Sequence, residues 1–480
     1  MTRRVHGVET EYGLIARRDV RRLASDEAGA LLFGPLARSR AGTNAFLGNG
    51  GRVYLDVGSH PEYATPECLD ARSLVVAQRA GDEVLLRLAR SAAADEAAEG
   101  RPVTFSLFRN NVDSFGNTWG SHSNHLVGRD ADPDALAAWL VPFLVSRPVV
   151  SGAGRWRRGR FTLSQRGDVL GDVVSNQTTR ARPLINTRDE PHADPARHRR
   201  LHLLAGDTLT LEHPLWLGLV CTELVLRAAE AGRRPPPGPA EPLAALRTWN
   251  TDPDAWVSGD PEAGSELTAI GLQRVLWERT GEFASDEETR SGHAAWGATL
   301  DAVAGGRPSG AEWDTKRRLL RAWADAHGAS EDDPRLDALD LRWHELGVDA
   351  TGRPRGMARL AEFRGQAPRL TTDAEVAAAL VTAPSPTRAR VRGRLVDAAR
   401  TADRDVTVDW ARFVAHDLPG GGPGAWAFAV EAALELDDPF ADADPRADAL
   451  AARLASEPRV GRLGGFVPPP AGAPRDGRAD

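Results

Sequence analysis

The residues best suited to chemistry lie in one short stretch, residues 49–67. Within it, apolar and polar side chains alternate strictly from residue 52 to residue 57, and glycines flank the run, which predicts a β-strand. Residues two apart share one face of a strand. The side chains expected on the polar face are Arg52, Tyr54 and Asp56. Those expected in the core are Val53, Leu55 and Val57. A turn at residues 58–61 would then return Glu62 beside the polar face.

A second acidic pair, Glu9 and Glu11, has the same two-residue spacing in a glycine-punctuated segment that also reads as a strand. A sheet face lined with carboxylates is unfavourable unless a cation binds there. Carboxylate oxygens on rigid strands suit Mg²⁺, and Mg²⁺ in turn suits the phosphates of a nucleotide. The residues alone leave a second interpretation open, which is the solvated outer face of an antiparallel sheet.

The chain lacks the glycine-rich motifs that cradle phosphate, since it contains no G-x-x-x-x-G-K-[ST] and no G-x-G-x-x-G between a strand and a helix. If ATP binds, arginines and a metal ion must hold its phosphates. Arg180, Arg182 and Arg188 have even spacing and would share one side of an extended segment, where they can make bidentate contacts to phosphate. An exposed charged strand is the alternative that this spacing leaves open.

Composition narrows the class of protein. The chain has 480 residues, 41% of them hydrophobic, and a net charge of −7, which argues against a general nucleic-acid or membrane-surface binder. No apolar run approaches the roughly 18 residues of a membrane helix, and the first residues lack the apolar stretch of a secretory signal. Lys316 is the only lysine, and two cysteines exclude a disulfide scaffold. We therefore expect a cytoplasmic protein that binds neither nucleic acid nor membranes.

Periodicity predicts the elements that must position these residues. Strands are concentrated in the first 65 residues, with another at 104–108. Apolar residues at helical spacing predict helices over residues 68–99, 133–146, 213–231, 264–281, 286–304, 310–328, 335–346, 373–381 and 387–402. This pattern is typical of an α+β protein. We expect three parts, namely a catalytic domain over 1–408, a small C-terminal domain over 409–457 and a disordered tail over 458–480.

Several sequence blocks together resemble the Pup ligase (proteasome accessory factor A) family, whose members are relatives of glutamine synthetase and attach the small protein Pup to lysines. The blocks are residues 7–13, 49–68, 110–111, 178–195, 199–207, 387–393, 407–410 and 438–440. The resemblance covers most of residues 3–457. It implies a glutamine synthetase-like carboxylate–amine ligase fold, with a curved antiparallel sheet backed by helices and a small C-terminal domain.

The resemblance also implies a role for individual residues. The positions that match the family's magnesium ligands are Glu9, Tyr54 and Glu62. Those that match its ATP-binding residues are Arg52, Thr65 and Trp410, and its catalytic base corresponds to Asp56. The implied cofactors are ATP and Mg²⁺, and the implied partners are Pup and lysine-bearing target proteins. In the implied reaction, the γ-phosphate of ATP is transferred to the side-chain carboxylate of Pup's C-terminal glutamate, and a lysine attacks the acyl phosphate.

A sister activity, the removal of Pup from lysines, uses the same scaffold. The form Leu-Asp-Val-Gly-Ser-His-Pro-Glu around Asp56 favours the ligase branch. Two departures favour a diverged paralogue. Ser123 replaces the glutamate of the family's Gly-x-His-Glu-Asn block, and Leu209 and Leu211 replace polar residues in a block expected near substrate or nucleotide. The sequence thus predicts Pup ligation, with a depupylase and a Pup-binding pseudoenzyme as the alternatives.

Overall fold

The computed structural model describes residues 3–38, 43–177, 181–260, 266–420 and 428–457. The strands among them are, in chain order, β1 (His6–Glu11), β2 (Gly13–Arg18), β3 (Arg21–Arg22), β4 (Asn44–Phe46), β5 (Arg52–Asp56), β6 (His60–Ala64), β7 (Thr104–Phe108), β8 (Ser121–Gly128), β9 (Arg155–Arg157), β10 (Arg160–Thr162), β11 (Asp172–Ser175), β12 (Pro183–Asn186), β13 (His198–Leu203), β14 (Val257–Ser258), β15 (Glu266–Leu267), β16 (Val406–Val408), β17 (Arg412–Gly420) and β18 (Phe428–Glu435).

The helices of the same ranges are, in chain order, α1 (Ser25–Arg38), α2 (Ala71–Ala98), α3 (Pro133–Ser146), α4 (Pro148–Ser151), α5 (Glu212–Glu230), α6 (Pro242–Trp249), α7 (Ala269–Thr280), α8 (Glu287–Ala304), α9 (Glu312–His327), α10 (Pro334–Trp343), α11 (Met357–Phe363), α12 (Asp373–Ala379), α13 (Arg388–Thr401) and α14 (Pro445–Ser456). Within these ranges, no helix combines the length and the apolar character needed to cross a membrane.

An eight-stranded sheet forms the centre of the molecule, in the order β11-β12-β13-β8-β1-β6-β5-β4. Its neighbouring strands are antiparallel except for the parallel pair β11–β12 at one edge. The strand β1 lies between β6 and β8, so that Glu9 is opposite both Ala64 and His122. Residues directly opposite each other point to the same face. Alternate residues of five adjacent strands therefore converge on one face of this sheet.

The other face of the sheet is covered by helices α2, α3 and α5. Val8 of β1 and Val127 of β8 pack with buried apolar residues of these helices in the largest hydrophobic cluster. Thr10 donates a hydrogen bond from its hydroxyl to Gln78 of α2 at 3.0 Å. Burying each such aliphatic side chain contributes about 1.5–3 kcal/mol, so this layer fixes the sheet firmly on its helices. The predicted α+β architecture, an antiparallel sheet backed by helices, is confirmed.

Each predicted helix is present, but several helices, among them α1, α4, α6 and α11, are missing from the prediction. The sequence predicts α3 with the bounds that it has, and Asp132 caps its N-terminus. The first 65 residues were expected to be strand-rich, yet α1 occupies Ser25–Arg38. Pro35 lies inside this helix and lowers its intrinsic propensity. Tertiary packing of Leu32 and Phe33 against α2 overrides that preference.

The turn after β5 begins one residue earlier than predicted. The strand ends at Asp56, and residues 57–59 form the turn that leads into β6 at His60. Val57, which the alternation places in the core, is 76% exposed. The prediction is wrong for this residue because strict alternation continues past the point where strand pairing stops.

The strands β16, β17 and β18 form a separate three-stranded sheet near the C-terminus. Phe413 and Leu434 of this sheet and Leu450 of α14 share a buried cluster with Leu395 of α13. Since β16 precedes residue 409 yet pairs with β17, the division at 408/409 stays a prediction. The predicted tail, 458–480, lies outside the described residues.

Candidate active site

Three carboxylates gather where β1, β5 and β6 run side by side. Glu62 of β6 is directly opposite both Tyr54 of β5 and Glu11 of β1. Oxygens of Glu11, Asp56 and Glu62 all lie within 4.8 Å of one another. The structure thus brings Tyr54, Asp56 and Glu62 together, as the two-residue spacing predicts, and adds Glu11 to them.

A second cluster centres on Glu9, one residue pair along β1. Donor atoms of Glu9, His122 and His202 lie within 4.8 Å of one another. The Nδ1 atom of His122 is 3.2 Å from Glu9 Oε2, and the amide of Asn124 donates to Glu9 Oε1 at 3.0 Å. The guanidinium of Arg200 is 3.9 Å from the same carboxylate. The residues predicted as magnesium ligands are therefore divided between two adjacent clusters, with Glu9 in one and Glu62 in the other.

The sequence alone assigns no role to His122, Asn124, Arg200 or His202. The available signal was their two-residue spacing inside blocks that match the family. That spacing predicts a shared strand face but does not reveal which strands are neighbours. Only the pairing of β8 with both β1 and β13 puts the two histidines beside Glu9.

Burial and the charges of neighbouring groups shift the pKa values of two of these acids in opposite directions. Burial, and then the charges of Glu9 and Glu11, raise the pKa of Glu62 well above its ordinary value. Burial also acts to raise the pKa of Glu9, but hydrogen bonding and the nearby charges of His122 and His202 hold that pKa well below its ordinary value. These carboxylates cannot all carry charge at low cost, and a divalent cation would remove the conflict.

Tyr54 remains a neutral phenol in this environment. Burial, followed by the negative charges of Glu62 and Glu9, raises the pKa of Tyr54. Its ring lies under the Arg52 guanidinium, 4.6 Å from the carbon of that group to the ring centre. Any contact of Tyr54 with a metal would therefore be made by the oxygen of the neutral phenol, since even the ordinary pKa of tyrosine is about 10.

A pocket next to Glu9 contains two of the three residues predicted to bind ATP. Glu9, Thr65 and Trp410 line it together with Arg200 and Arg388. The Thr65 hydroxyl accepts a hydrogen bond from the backbone N–H of Val8 at 3.0 Å, which leaves its proton free for a ligand. We refer to this cavity as the Trp410 pocket.

Arg52, the third predicted ATP-binding residue, is not among the residues that line the Trp410 pocket. Its Nε donates to Asn44 Oδ1 at 2.6 Å. The residue is nevertheless directly opposite Ala64, next to Thr65 in the chain. The structure therefore brings Thr65 and Trp410 together with Glu9 and puts Arg52 one strand away.

Trp410 is held by a buried arginine of α13. The Arg392 guanidinium lies 4.9 Å from the Trp410 ring centre, and its Nη1 donates to the Trp410 carbonyl at 2.8 Å. Arg392 and Arg388 both pair with Glu67, at 2.5 and 2.8 Å. Both arginines are buried against the chain that follows β6.

A long cleft opens on the other side of the carboxylates. Glu11 and Asp56 line it, together with many basic residues. These basic residues are Arg22, Arg155, Arg157, Arg158, Arg166 and Arg182. We refer to this cavity as the Asp56 cleft. Since Glu9 faces the Trp410 pocket and Asp56 faces the cleft, the acids stand between two separate cavities.

Of the arginines whose even spacing suggested phosphate contacts, only one has a clear place in the site. Arg182 lines the Asp56 cleft. Arg188 is exposed and lies 3.6 Å from Glu190. Arg180 lies outside the described residues.

The two departures from the family pattern lie away from both cavities. Ser123 is opposite Val8 and Leu203, on the helix-covered face, and its hydroxyl is 3.1 Å from His125 Nε2. Leu209 and Leu211 are buried, at 5% and 1% exposure. Both leucine side chains belong to the protein interior, and the expectation that their block lies near substrate or nucleotide stays a prediction.

Comparisons with known proteins agree on one family. The family described as "Pup-ligase protein" matches residues 4–414. The Pup–protein ligase of Paenarthrobacter aurescens is 38% identical over 465 residues, covering 94% of this chain and 99% of that protein. The Pup–protein ligase of Brachybacterium faecium is 39% identical over 471 residues, covering 94% and 96%.

Solved structures give the same result. A complex between Pup and its ligase PafA has a TM-score of 0.84 and 35% identity, over 94% of this chain and 91% of that one. The Pup ligase PafA in complex with ADP has a TM-score of 0.76 and 35% identity, over 89% and 94%. The protein is thus an enzyme of the ligase class. More particularly, this chain belongs to the Pup-ligase protein family, and the resemblance found in the sequence is confirmed.

Proposed function

We propose that this protein is an ATP- and Mg²⁺-dependent Pup–protein ligase, which joins the side-chain carboxylate of Pup's C-terminal glutamate to lysines of target proteins. The observation that carries this proposal is the group of carboxylates between two cavities. One cavity offers an aromatic ring and a hydroxyl for a nucleotide, and the other is a cleft that contains Asp56 and is lined by arginines and further carboxylates. ADP is bound by a PafA with a TM-score of 0.76, and Pup is bound by one with a TM-score of 0.84.

The donor groups fit a divalent cation. Glu9, Tyr54 and Glu62 would hold Mg²⁺, Glu9 from one of the two adjacent clusters and Tyr54 and Glu62 from the other, where Glu11 offers a further oxygen. Oxygen donors on paired strands match the preference of Mg²⁺, and the raised pKa of Glu62 marks the negative charge that the cation would balance. When bound, Mg²⁺ would neutralise charge on the phosphates of ATP and orient the γ-phosphoryl group.

The chain's own residues would then orient the reactants. Trp410 would pack on the nucleotide, and the Thr65 hydroxyl and the Arg52 guanidinium would bind its polar groups. The carboxylate of Pup would approach the γ-phosphoryl group from the Asp56 cleft. Transfer would form a bond from the glutamate side-chain oxygen to the γ-phosphorus and break the bond from that phosphorus to the bridging oxygen, which leaves with ADP.

Asp56 would act in the second step. A lysine ammonium has an ordinary pKa of about 10.4, so it must lose a proton before it attacks. The Asp56 carboxylate would accept that proton as the amine nitrogen bonds to the acyl carbon and phosphate leaves. Its position in the open cleft, rather than in the Trp410 pocket, allows a protein lysine to approach.

The proposal is tested by the Asp56→Asn variant in a ligation assay with glutamate-ended Pup, ATP, Mg²⁺ and a lysine-bearing protein. Conjugate formation should fall by about 10²–10⁴-fold, while binding of ATP and Pup stays close to that of the wild type. Asp337→Asn is the matched control, because Asp337 also lines the cleft but accepts a backbone hydrogen bond that an asparagine oxygen can still accept. Wild-type protein that forms no conjugate would contradict the proposed function.

Removal of Pup and a Pup-binding pseudoenzyme were the alternatives that the sequence left open. The departures that raised them, Ser123, Leu209 and Leu211, are not among the described residues that line either cavity, so they lend no support to these alternatives. Incubation with a pre-formed conjugate measures cleavage directly, and we expect ligation to dominate.

A further inference from the structure

Arg166 is a buried arginine in the Asp56 cleft to which the catalytic steps above give no role. The residue is 3% exposed and lines the cleft together with Glu11, Asp56 and His122. Its Nη1 donates hydrogen bonds to the backbone carbonyls of Leu204 and Gly206. Among the described residues, its Nε has no hydrogen-bond partner, and no carboxylate forms an ion pair with its guanidinium.

The carboxylate of Asp207, the residue whose charge acts most strongly on Arg166, is occupied by other hydrogen bonds. Asp207 accepts hydrogen bonds from the backbone N–H groups of Gln165 and Arg166, at 3.1 and 3.2 Å, and from the Ser164 hydroxyl at 2.8 Å. Asp207 thus fixes the main chain of Arg166, and although the charges of Asp207 and Glu11 act on the guanidinium, neither carboxylate forms an ion pair with it among the described residues. A buried arginine held in place but unpaired is unfavourable unless a ligand supplies an anion.

One nitrogen of the guanidinium is left for a ligand. Nη1 is bound to carbonyl oxygens and Nε is enclosed by the protein, whereas no described residue accepts a hydrogen bond from Nη2. A guanidinium N–H makes a charge-assisted hydrogen bond to an anionic oxygen, such as that of a carboxylate. Arg182, also on the cleft, adds positive charge nearby.

The position of Arg166 indicates whether it binds a phosphate of ATP or a carboxylate of Pup. Thr65 and Trp410, proposed above to bind ATP, line the other cavity, whereas Arg166 shares its cavity with Asp56. The C-terminal glutamate of Pup carries two carboxylates, of which only the side-chain group reacts. We propose that Arg166 binds the free α-carboxylate of this glutamate and so presents the side-chain carboxylate for reaction. This inference rests on the proposed function.

The test compares binding of two forms of Pup, one ending in glutamate and one whose terminal α-carboxyl is converted to an α-carboxamide. Wild-type protein should bind the α-carboxamide about tenfold or more weakly, the size expected for a charge-assisted hydrogen-bonded pair. Arg166→Gln should bind both forms alike, within roughly twofold, and should keep the ADP affinity of the wild type. Arg158→Gln removes an exposed arginine of the same cleft and should leave the discrimination intact.

Each other outcome overturns the inference. Equal binding of the two forms by wild-type protein contradicts the inference. This outcome needs no variant, so the test remains decisive even if Arg166→Gln does not fold. Discrimination that survives in Arg166→Gln also contradicts it. Weaker ADP binding with unchanged discrimination assigns Arg166 to a phosphate instead. Failure of the wild type to bind either form of Pup refutes the proposed function itself, which distinguishes the two failures.

Discussion

At the scale of single residues, the site is defined by carboxylates that the protein alone cannot neutralise. Glu62 is opposite Glu11 and close to Asp56, and burial raises its pKa together with the charges of Glu9 and Glu11. Such an arrangement weakens the metal-free protein and is favourable once a cation binds. Strain of this kind is common where function requires charges that packing would avoid.

We expect Glu62→Gln to remove the stabilisation that Mg²⁺ gives to the wild type. Glutamine mimics the protonated form that the raised pKa of Glu62 favours, so the metal-free protein should keep its unfolding temperature. A free Mg²⁺ concentration 100 times the Kd stabilises the wild-type protein by about 2.7 kcal/mol. Thermal unfolding with and without Mg²⁺ measures the difference.

The control for this measurement is Glu278→Gln, which changes an exposed glutamate on α7. It should retain the full Mg²⁺-dependent shift. An equal shift in Glu62→Gln and in the wild type would show that Glu62 does not bind the metal.

At the scale of elements, α13 joins the C-terminal sheet to the catalytic face. Arg388 and Arg392 project from this helix onto Glu67, just beyond the end of β6, and Arg392 also contacts Trp410. Burial acts to raise the pKa of Glu67, but the two arginines lower it to about 2. One buried carboxylate thus connects the sheet that carries Glu62 to the helix that supports the Trp410 pocket.

We expect Glu67→Gln to destabilise the protein by about 3–5 kcal/mol at pH 7, because two buried guanidinium groups lose their counter-ion. The lowered pKa makes the ionised form stabilising above the unfolded value of about 4.5, and this contribution is lost as the pH falls towards 2. The difference between wild type and variant should therefore be constant from pH 7 to 6 and be smaller by about 1 kcal/mol at pH 4.

Denaturant unfolding at each pH measures this difference. Glu435→Gln breaks an exposed ion pair with Arg412 and should change stability by less than about 1 kcal/mol. A loss of the same small size for Glu67→Gln would show that the ion pairs of Glu67 with Arg388 and Arg392 contribute little to stability.

Trp410→Ala tests the contribution of the C-terminal part to nucleotide binding. If the indole packs on the adenine, its removal should weaken ADP binding by about tenfold, since stacking of a base on an aromatic side chain contributes about 1–3 kcal/mol. Affinity for Pup should change little, because Trp410 does not line the Asp56 cleft. Titration calorimetry measures both, and Trp256→Ala, which removes an indole that is 67% exposed, is the control. Unchanged ADP affinity would remove Trp410 from the nucleotide site.

At the scale of the whole molecule, the scarcity of lysine acquires a structural meaning. Lys316 is the only lysine and is fully buried. Its ammonium donates to the carbonyl of Gly154 at 2.8 Å and to Asp340 at 3.0 Å, and it is 2.8 Å from His344 Nε2. An enzyme that modifies lysines thus exposes no lysine side chain of its own.

We expect no Pup on Lys316 after prolonged incubation with Pup, ATP and Mg²⁺, because its nitrogen is inaccessible and fully hydrogen-bonded. Arg234→Lys creates an exposed lysine at a matched charge and should acquire Pup under the same conditions. Intact-mass measurement followed by peptide mapping distinguishes the two. A conjugate on Lys316 of the folded wild type would contradict the prediction.

The sequence by itself determined the local pattern. Two-residue alternation put Arg52, Tyr54 and Asp56 on one strand face, helical spacing gave most helices to within a few residues, and the matched blocks identified the family. These features depend on neighbours along the chain, and local periodicity therefore reports them.

Only the tertiary structure decided which distant segments meet. The pairing of β13 with β8 and of β8 with β1 puts His202 beside Glu9, and the packing of α13 puts Arg392 against Glu67. The buried, unpaired guanidinium of Arg166 is likewise invisible in a sequence of many arginines. Burial and charge balance arise from long-range contacts, so spacing along the chain cannot distinguish a solvated arginine from one that holds the site together.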